Sequence, residues 1–215
     1  MGLTLTFLGH AGVLLSDGTH TIAVDPFLTG NPVATMQARD IKCQAIVLTH
    51  GHADHVGDTV AIAKANRATV YGVFEIAEFL GTQGVTAEAG NPGGKIAAPF
   101  GWVAFTQAFH SSSYEGRYMG MPCGAIVHVG GVTVYHLGDT GLFSDLKLLG
   151  EIYRPDIALI PAGDRFTMGP EFVRPKVAIP IHYGTWPLLA HDVSAFKPKG
   201  VEVKVMAPGE RWAYA

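Results

Sequence analysis

From Leu3 to Leu8 the chain alternates apolar and polar residues (Leu-Thr-Leu-Thr-Phe-Leu), the period of a strand with one face buried. Gly9-His10-Ala11-Gly12 interrupts the pattern, Val13-Leu14-Leu15 resumes it, and Thr21-Ile22-Ala23-Val24 returns after the turn pair Asp17-Gly18. These runs predict an antiparallel hairpin at a sheet edge that ends at Asp25-Pro26. Residues 27–39 turn loop-like around Thr29-Gly30-Asn31-Pro32, a surface connection placed to border a site. A strand over Ala45 to Leu48 follows, then a helix from about Val56 to Ala65, a short parallel strand over Thr69 to Gly72 and a helix over Glu75 to Leu80. Strand and helix in alternation are the pattern of a layered α/β arrangement.

The second half repeats the plan. After the turn Asn91-Pro92-Gly93-Gly94, the run Trp102-Val103-Ala104-Phe105 leads to Phe109-His110 and a polar loop from Ser111 to Gly120. Gly124 to Val129 and Val132 to Tyr135, joined by Gly130-Gly131, form a second hairpin that ends at His136-Leu137-Gly138-Asp139. Leu142 to Ile152 has helical spacing, and Ile157 to Ile160 and Val177 to Ile181 read as buried strands, the second delivering His182. Two such halves in one domain over residues 1–215 would set sheet on sheet in the middle with helices outside.

Composition narrows the function classes. With 48% hydrophobic and 15% charged residues, the 215-residue chain has material for one sizeable core. A net charge of −3 without any basic run argues against a nucleic-acid or anionic-membrane partner. No apolar stretch reaches the roughly 18 residues of a spanning helix. Cys43 and Cys123 stand alone, so a reducing, cytoplasmic setting is the simpler expectation. A small-molecule substrate fits best, and a homo-oligomer stays open.

Thr49-His50-Gly51-His52-Ala53-Asp54-His55 places three imidazoles and a carboxylate in six residues behind a strand. Imidazole and carboxylate form the donor set of a borderline divalent cation: zinc first, with manganese, iron or nickel as alternatives. In an extended segment His50 and His52 project to one side, while Asp54 and His55 follow where the helix begins. His110, Asp139 and His182 also stand directly after apolar runs, at strand ends where α/β folds gather ligands. Asp25 is expected to take the outer N–H of a metal-bound imidazole, the alternative being a plain Asp-Pro turn. His10 is expected at the substrate or the metal shell, the alternative being a satisfied structural histidine. His136, in an alternating strand, should point away from or beside the site. His20, His128 and His191 carry no partner pattern. Ser111 to Arg117, with Lys95 and Arg165, could receive an anionic group, a solvated surface being the default.

Leu8-Gly9-His10, the run from Asp25 to Pro32, Thr49 to His55, His110-Ser111-Ser112, Gly138-Asp139-Thr140, Thr167-Met168-Gly169-Pro170 and Pro180-Ile181-His182-Tyr183 together resemble the metallo-β-lactamase superfamily. Within it the chain looks like small metal-dependent hydrolases related to the ascorbate-6-phosphate lactonases. The resemblance implies an αββα sandwich of two ββα-type halves. It implies one metal site of His50, His52 and His110 and a second of Asp54, His55 and His182, bridged by Asp139. Two divalent ions then lower the pKa of a shared water from about 15.7 towards 7, and the resulting hydroxide attacks an ester, lactone or phosphodiester of a small substrate, possible anionic ones included. Asp54 is implied as both ligand and orienter of the nucleophile. Only Glu171 to Arg174 separate Pro170 from Pro175-Lys176, where relatives place a helix. Two other readings are carried forward: di-iron redox or oxygen chemistry on the same fold, and a metal-binding protein without turnover.

Overall fold

The computed structural model describes residues 2–168, 175–198 and 200–214. The first half contains β1 (Leu3–Gly9), β2 (Gly12–Ser16), β3 (Thr21–Val24), β4 (Ala45–Val47), α1 (Ala53–Val56), α2 (Thr59–Asn66), β5 (Thr69–Val73), α3 (Phe74–Thr82) and β6 (Ala87–Gly90). Next come β7 (Lys95–Ala98), β8 (Gly101–Gln107), the two-residue strands β9 (Ser113–Tyr114) and β10 (Arg117–Tyr118), β11 (Cys123–Val129) and β12 (Val132–His136). The chain closes with α4 (Asp145–Tyr153), β13 (Ile157–Pro161), β14 (Val177–Ile181), β15 (Glu202–Val203) and β16 (Arg211–Tyr214). One seven-stranded sheet runs β16-β1-β2-β3-β4-β5-β6 and the other β15-β14-β13-β12-β11-β8-β7. In each, an antiparallel hairpin is extended by parallel strands: β3, β4, β5 and β6 in the first, β12, β13, β14 and β15 in the second.

A continuous apolar core lies between the sheets, Leu5, Leu15, Ile22 and Ile46 of one meeting Val103, Val127, Ile157 and Ile179 of the other. A second cluster, with Ile126, Tyr135, Ile160 and Leu146, fixes α4 to the far face of the second sheet. The helix, sheet, sheet, helix layering is the αββα expectation. β4, β13 and β14 are buried along their whole length, so they read as continuous apolar runs rather than alternations.

Three expectations change. The β1–β2 hairpin is not an edge, because β16 pairs with β1 from Leu3↔Tyr214 to Thr6↔Arg211, a contact nearly the length of the chain. The helix expected from Val56 to Ala65 is two pieces, broken at Gly57-Asp58. There the Asp58 carboxylate receives the N–H groups of Leu28 and Thr29 at 2.9 and 2.8 Å, fastening the 27–39 loop to the start of α2. β6, β7, β15 and β16 carry no expected element; they are short, half-exposed strands without a strong period. Residues 169–174, on which the shortened connection falls, lie outside the described residues. Among those described, no helix is long and apolar enough to cross a membrane.

Gly57 makes this arrangement possible. Its φ is +43°, and a Cβ there would stand 2.6 Å from the Pro26 carbonyl oxygen and 2.7 Å from Phe27 Cα. Both obstacles are backbone, so they cannot swing aside. Gly57→Ala is expected to lower stability by at least about 2 kcal/mol, combining left-handed strain with a forced shift. Urea denaturation checks this, the expected result being a lower midpoint at unchanged slope.

Candidate metal centre

The strands deliver their ends to one rim. His50 and His52 follow β4, Asp54 and His55 lie on α1, His110 follows β8, Asp139 follows β12, His182 follows β14 and His10 follows β1. Because β3 to β5 and β12 to β14 run parallel, these C-terminal ends converge. The His182 N–H donates to the His10 carbonyl at 2.7 Å, joining the two halves at the site. Gly138, at φ +63°, passes so close to Cys123 and Thr49 that a Cβ would meet the Cys123 carbonyl oxygen at 2.5 Å, and this lets β12 drop Asp139 inward.

Donor atoms within 4.8 Å of one another form three overlapping groups: His50, His52 and His110; His50, His55 and Asp139; and His10, Asp54, His55 and His182. His50 Nε2 and His52 Nδ1 are 3.0 Å apart. That is close to the roughly 3.3 Å expected for two imidazole nitrogens on one tetrahedral zinc. Asp139 faces three imidazoles: its Oδ1 is 3.4 Å from His55 Nε2, and its Oδ2 is 3.5 Å from His110 Nε2 and 2.9 Å from His182 Nε2. Asp54 Oδ2 lies 3.7 Å from His182 Nε2.

The surrounding hydrogen bonds set which nitrogens face inward. Asp25, fully buried, accepts the Thr49 N–H at 2.9 Å, the Thr49 hydroxyl at 2.6 Å and the His55 Nδ1–H at 2.8 Å. With its proton given to Asp25, the Thr49 hydroxyl can only accept from His50 Nδ1–H, 3.0 Å away. One carboxylate therefore fixes the Nδ1 protons of both His50 and His55 and leaves their Nε2 atoms facing the centre. Asp25 is thus more than an Asp-Pro turn. Ser111 Oγ lies 3.2 Å from His52 Nε2, and Ser112 Oγ accepts the Gly51 N–H at 3.0 Å, holding the motif against the 110–112 loop.

His10 donates Nε2–H to Asp54 Oδ2 at 3.0 Å and accepts the Thr185 hydroxyl at Nδ1, 2.8 Å away. Sequence reasoning missed Thr185, because nothing in its spacing signals a contact with a histidine 175 residues earlier. His136 donates Nε2–H to the Ala11 carbonyl at 2.8 Å and accepts the Gly138 N–H at Nδ1, so no lone pair remains for a cation. As expected, it stands beside the site. His20 and His128 are partnered locally, by Asp17 and Thr133. Lys95 lies over the Trp102 ring and Arg117 over Phe79, so these residues do not assemble an anion site with Arg165.

Electrostatics point the same way. Burial disfavours charge on His182, but Asp139 and hydrogen bonds to Asp139 and Asp54 outweigh it and raise the imidazole to about 9. Burial likewise opposes charge on His55, yet Asp139 and Asp25 push it well above its ordinary value. Burial and neighbouring imidazoles hold His50 well below its usual range; His52 and His110 are also lowered, mainly by burial, and His10 falls to about 4. Asp139 and Asp54 are held low despite burial by the imidazoles around them. The centre thus favours positive charge beside Asp139. His55 Nε2 and Asp139 Oδ1 are buried without a hydrogen-bond partner, the pattern of donor atoms arranged for a cation. The residues fit a divalent metal.

The strain also concentrates here: His10, Asp25 and His182 adopt φ of 57°, 44° and 56°, a left-handed region that costs such residues about 1–3 kcal/mol each.

Two facing sheets flanked by helices, with a His/Asp cluster at the rim where strand ends converge, define the class of metal-dependent hydrolases built on the αββα sandwich. Residues 4–182 match the Beta-lactamase superfamily domain. A UPF0173 metal-dependent hydrolase of Geobacillus sp. (strain WCH70) is 46% identical over 223 residues, 97% of this chain and 98% of that protein. One from Carboxydothermus hydrogenoformans is 48% identical over 222 residues with the same coverage. The chain belongs to the metallo-β-lactamase superfamily and, within it, groups with the UPF0173 metal-dependent hydrolases. Among solved structures, Igni18, a metallo hydrolase from Ignicoccus hospitalis KIN4/I, superposes with a TM-score of 0.90 at 34% identity over 100% of this chain and 99% of its own. The isothiocyanate hydrolase from Delia radicum gut bacteria, at 18% identity and a TM-score of 0.75, shares the fold.

Asp139 holds protons on His55 and on His182, the latter up to about pH 9, so a cation that takes these nitrogens as ligands displaces them. Affinity for zinc is therefore expected to rise with pH up to about 9 and to fall as pH drops; titration calorimetry in buffers of different ionisation enthalpy should record net proton release at pH 7.5. Asp25→Asn is expected to weaken zinc binding by about 10- to 100-fold, read by competition with a chromogenic chelator.

Proposed function

We propose that this metal-dependent hydrolase cleaves an ester, lactone or phosphodiester bond of a small substrate at a centre of two divalent ions. His50, His52 and His110 hold one cation, Asp54, His55 and His182 the other, and Asp139 lies between them. The observation that carries the reading is Asp139, whose two oxygens face imidazoles from three separate elements within 3.5 Å. Zinc suits this donor set first, with manganese, iron or nickel as alternatives. Such cations supply a water acidified to neutral pH and electrophilic assistance to the scissile bond.

The chain's own residues do the rest. Asp54 keeps Oδ2 on His10, and its side chain, 23% exposed, is the open carboxylate of the centre. Its depressed pKa leaves it ionised, an acceptor that can orient a nucleophilic water by hydrogen bonding. His10 is neutral and holds that carboxylate in place from the side away from solvent. A thiol nucleophile has no support: burial raises Cys43 to about 11 and Cys123 to about 12.

Metal analysis of His110→Ala and His182→Ala should show each losing about one of two ions, and retention of both would sink the assignment. With aryl esters, lactones and phosphodiesters as substrates, Asp54→Asn should lower kcat by at least about 100-fold, the rate being read per bound ion because Asp54 is also a ligand of the second cation. If the fully loaded protein turns over none of them, hydrolysis of these bonds is wrong, and an iron-dependent oxidation assay takes its place.

A further inference from the structure

We infer that this centre recognises its substrate by a hydrophobic group, an acyl chain or aryl ring, and not by an anionic one; the inference rests on the hydrolase reading and names its substrate class. Among the described residues ten large apolar side chains are exposed. Leu148 and Ile152 lie on α4, Phe74 opens α3, Tyr118 and Met121 lie on or just after β10 and Val205 just past β15, whereas Phe109, Leu142, Phe166 and Leu188 lie in the loops that follow β8, β12, β13 and β14 at the rim that carries the metal-type residues. Phe109 (64% exposed) precedes His110, Leu142 (50%) follows Asp139 by three residues, and Leu188 (59%) follows His182 by six. Phe166 (52%) stands in the loop after β13, between those two strand ends. Apolar surface normally scatters; exposed side chains in the loops that carry His110, Asp139 and His182, with Phe166 between the last two, form a lining.

Two details give the lining form. The Phe109 N–H donates to Thr140 Oγ1 at 3.0 Å, the Gly141 N–H returns to the Phe109 carbonyl, and the Phe109 and Phe143 rings meet at 5.1 Å, making a stiff aromatic wall beside His110 and Asp139. On the other side Trp186 stacks edge-on to His10 at 4.8 Å, with Phe27 6.1 Å from it, making a second wall beside Asp54 and His182. These loops are also poor in charge: residues 138–144 hold none besides Asp139, and residues 182–190 hold no Lys, Arg, Asp or Glu. Among the described residues these two loops offer an anionic substrate no cation, and the one cation of the 162–168 loop, Arg165, lies over the Phe166 ring. The non-reacting part of a substrate bound at the centre meets these walls, so they select an apolar group.

The test is a series of alkyl hydroxamates of increasing chain length bound to the zinc-loaded full-length protein, which needs no turnover. Affinity should tighten by about 2- to 4-fold for each added methylene until the walls are covered. Phe109→Ser, Leu142→Ser and Leu188→Ser should flatten that slope at wild-type zinc content, and Leu148→Ser should leave it unchanged. A flat series in the wild type overturns the inference, and so does a slope that survives in the three rim variants. A flat series with flotation on phosphatidylcholine vesicles would assign the rim to a membrane, and one with a rim-dependent dimer to a second copy. A steep series without ester turnover would fault the hydrolase reading alone; turnover with a flat series would fault this inference alone.

Discussion

The Asp25 carboxylate is a charge with no exposure to water, in a left-handed backbone position at the end of β3. Burying it unpaired would cost several kcal/mol, so the neighbouring chain has to supply donors. Thr49 supplies two and His55 one, and each of those bonds has a second effect. The Thr49 N–H fixes the chain where β4 gives way to the histidine motif. The Thr49 hydroxyl, spent on Asp25, sets the tautomer of His50, and the direct bond sets that of His55. The inward Nε2 atoms of the centre follow from satisfying one buried carboxylate.

Assembling the donors costs stability. Three of them or their supports sit at positive φ, and buried nitrogen and oxygen atoms face one another without bonds. The two-sheet core underneath is what tolerates this, because β4, β13 and β14 are buried throughout and cannot shift to relax the rim. Cation binding removes the orphaned atoms and the like-charge crowding among imidazoles, so metal affinity and folding stability draw on the same contacts. His136 belongs to this support: bonded to Ala11 and Gly138, it ties the first loop of one half to the loop that presents Asp139 in the other.

The rim residues separate chemistry from recognition. The donors are buried or nearly so and tightly interlocked, while the apolar side chains beside them are exposed and sit on loops that differ in length and origin. Such a division lets one metal framework serve different substrates by changing loop residues alone.

By itself the sequence determined the strands with strong period or full burial, the layered α/β plan and the identity of the His and Asp side chains that converge at the rim. His50, His52, Asp54 and His55 are legible because one short segment carries them, and His110, Asp139 and His182 because each closes an apolar run. Only the tertiary structure decided the rest. The pairing of β16 with β1 joins residues about two hundred positions apart, a register that a four-residue alternation cannot specify. The break at Gly57-Asp58 depends on the backbone of Pro26-Phe27 arriving beside it. Thr185 and the hydroxyl of Thr49 acquire roles only through partners brought by distant strand ends, since a hydroxyl is as common on a solvated surface as in a relay. Local pattern fixes which groups a chain offers; the crossing of its strands fixes which of them meet.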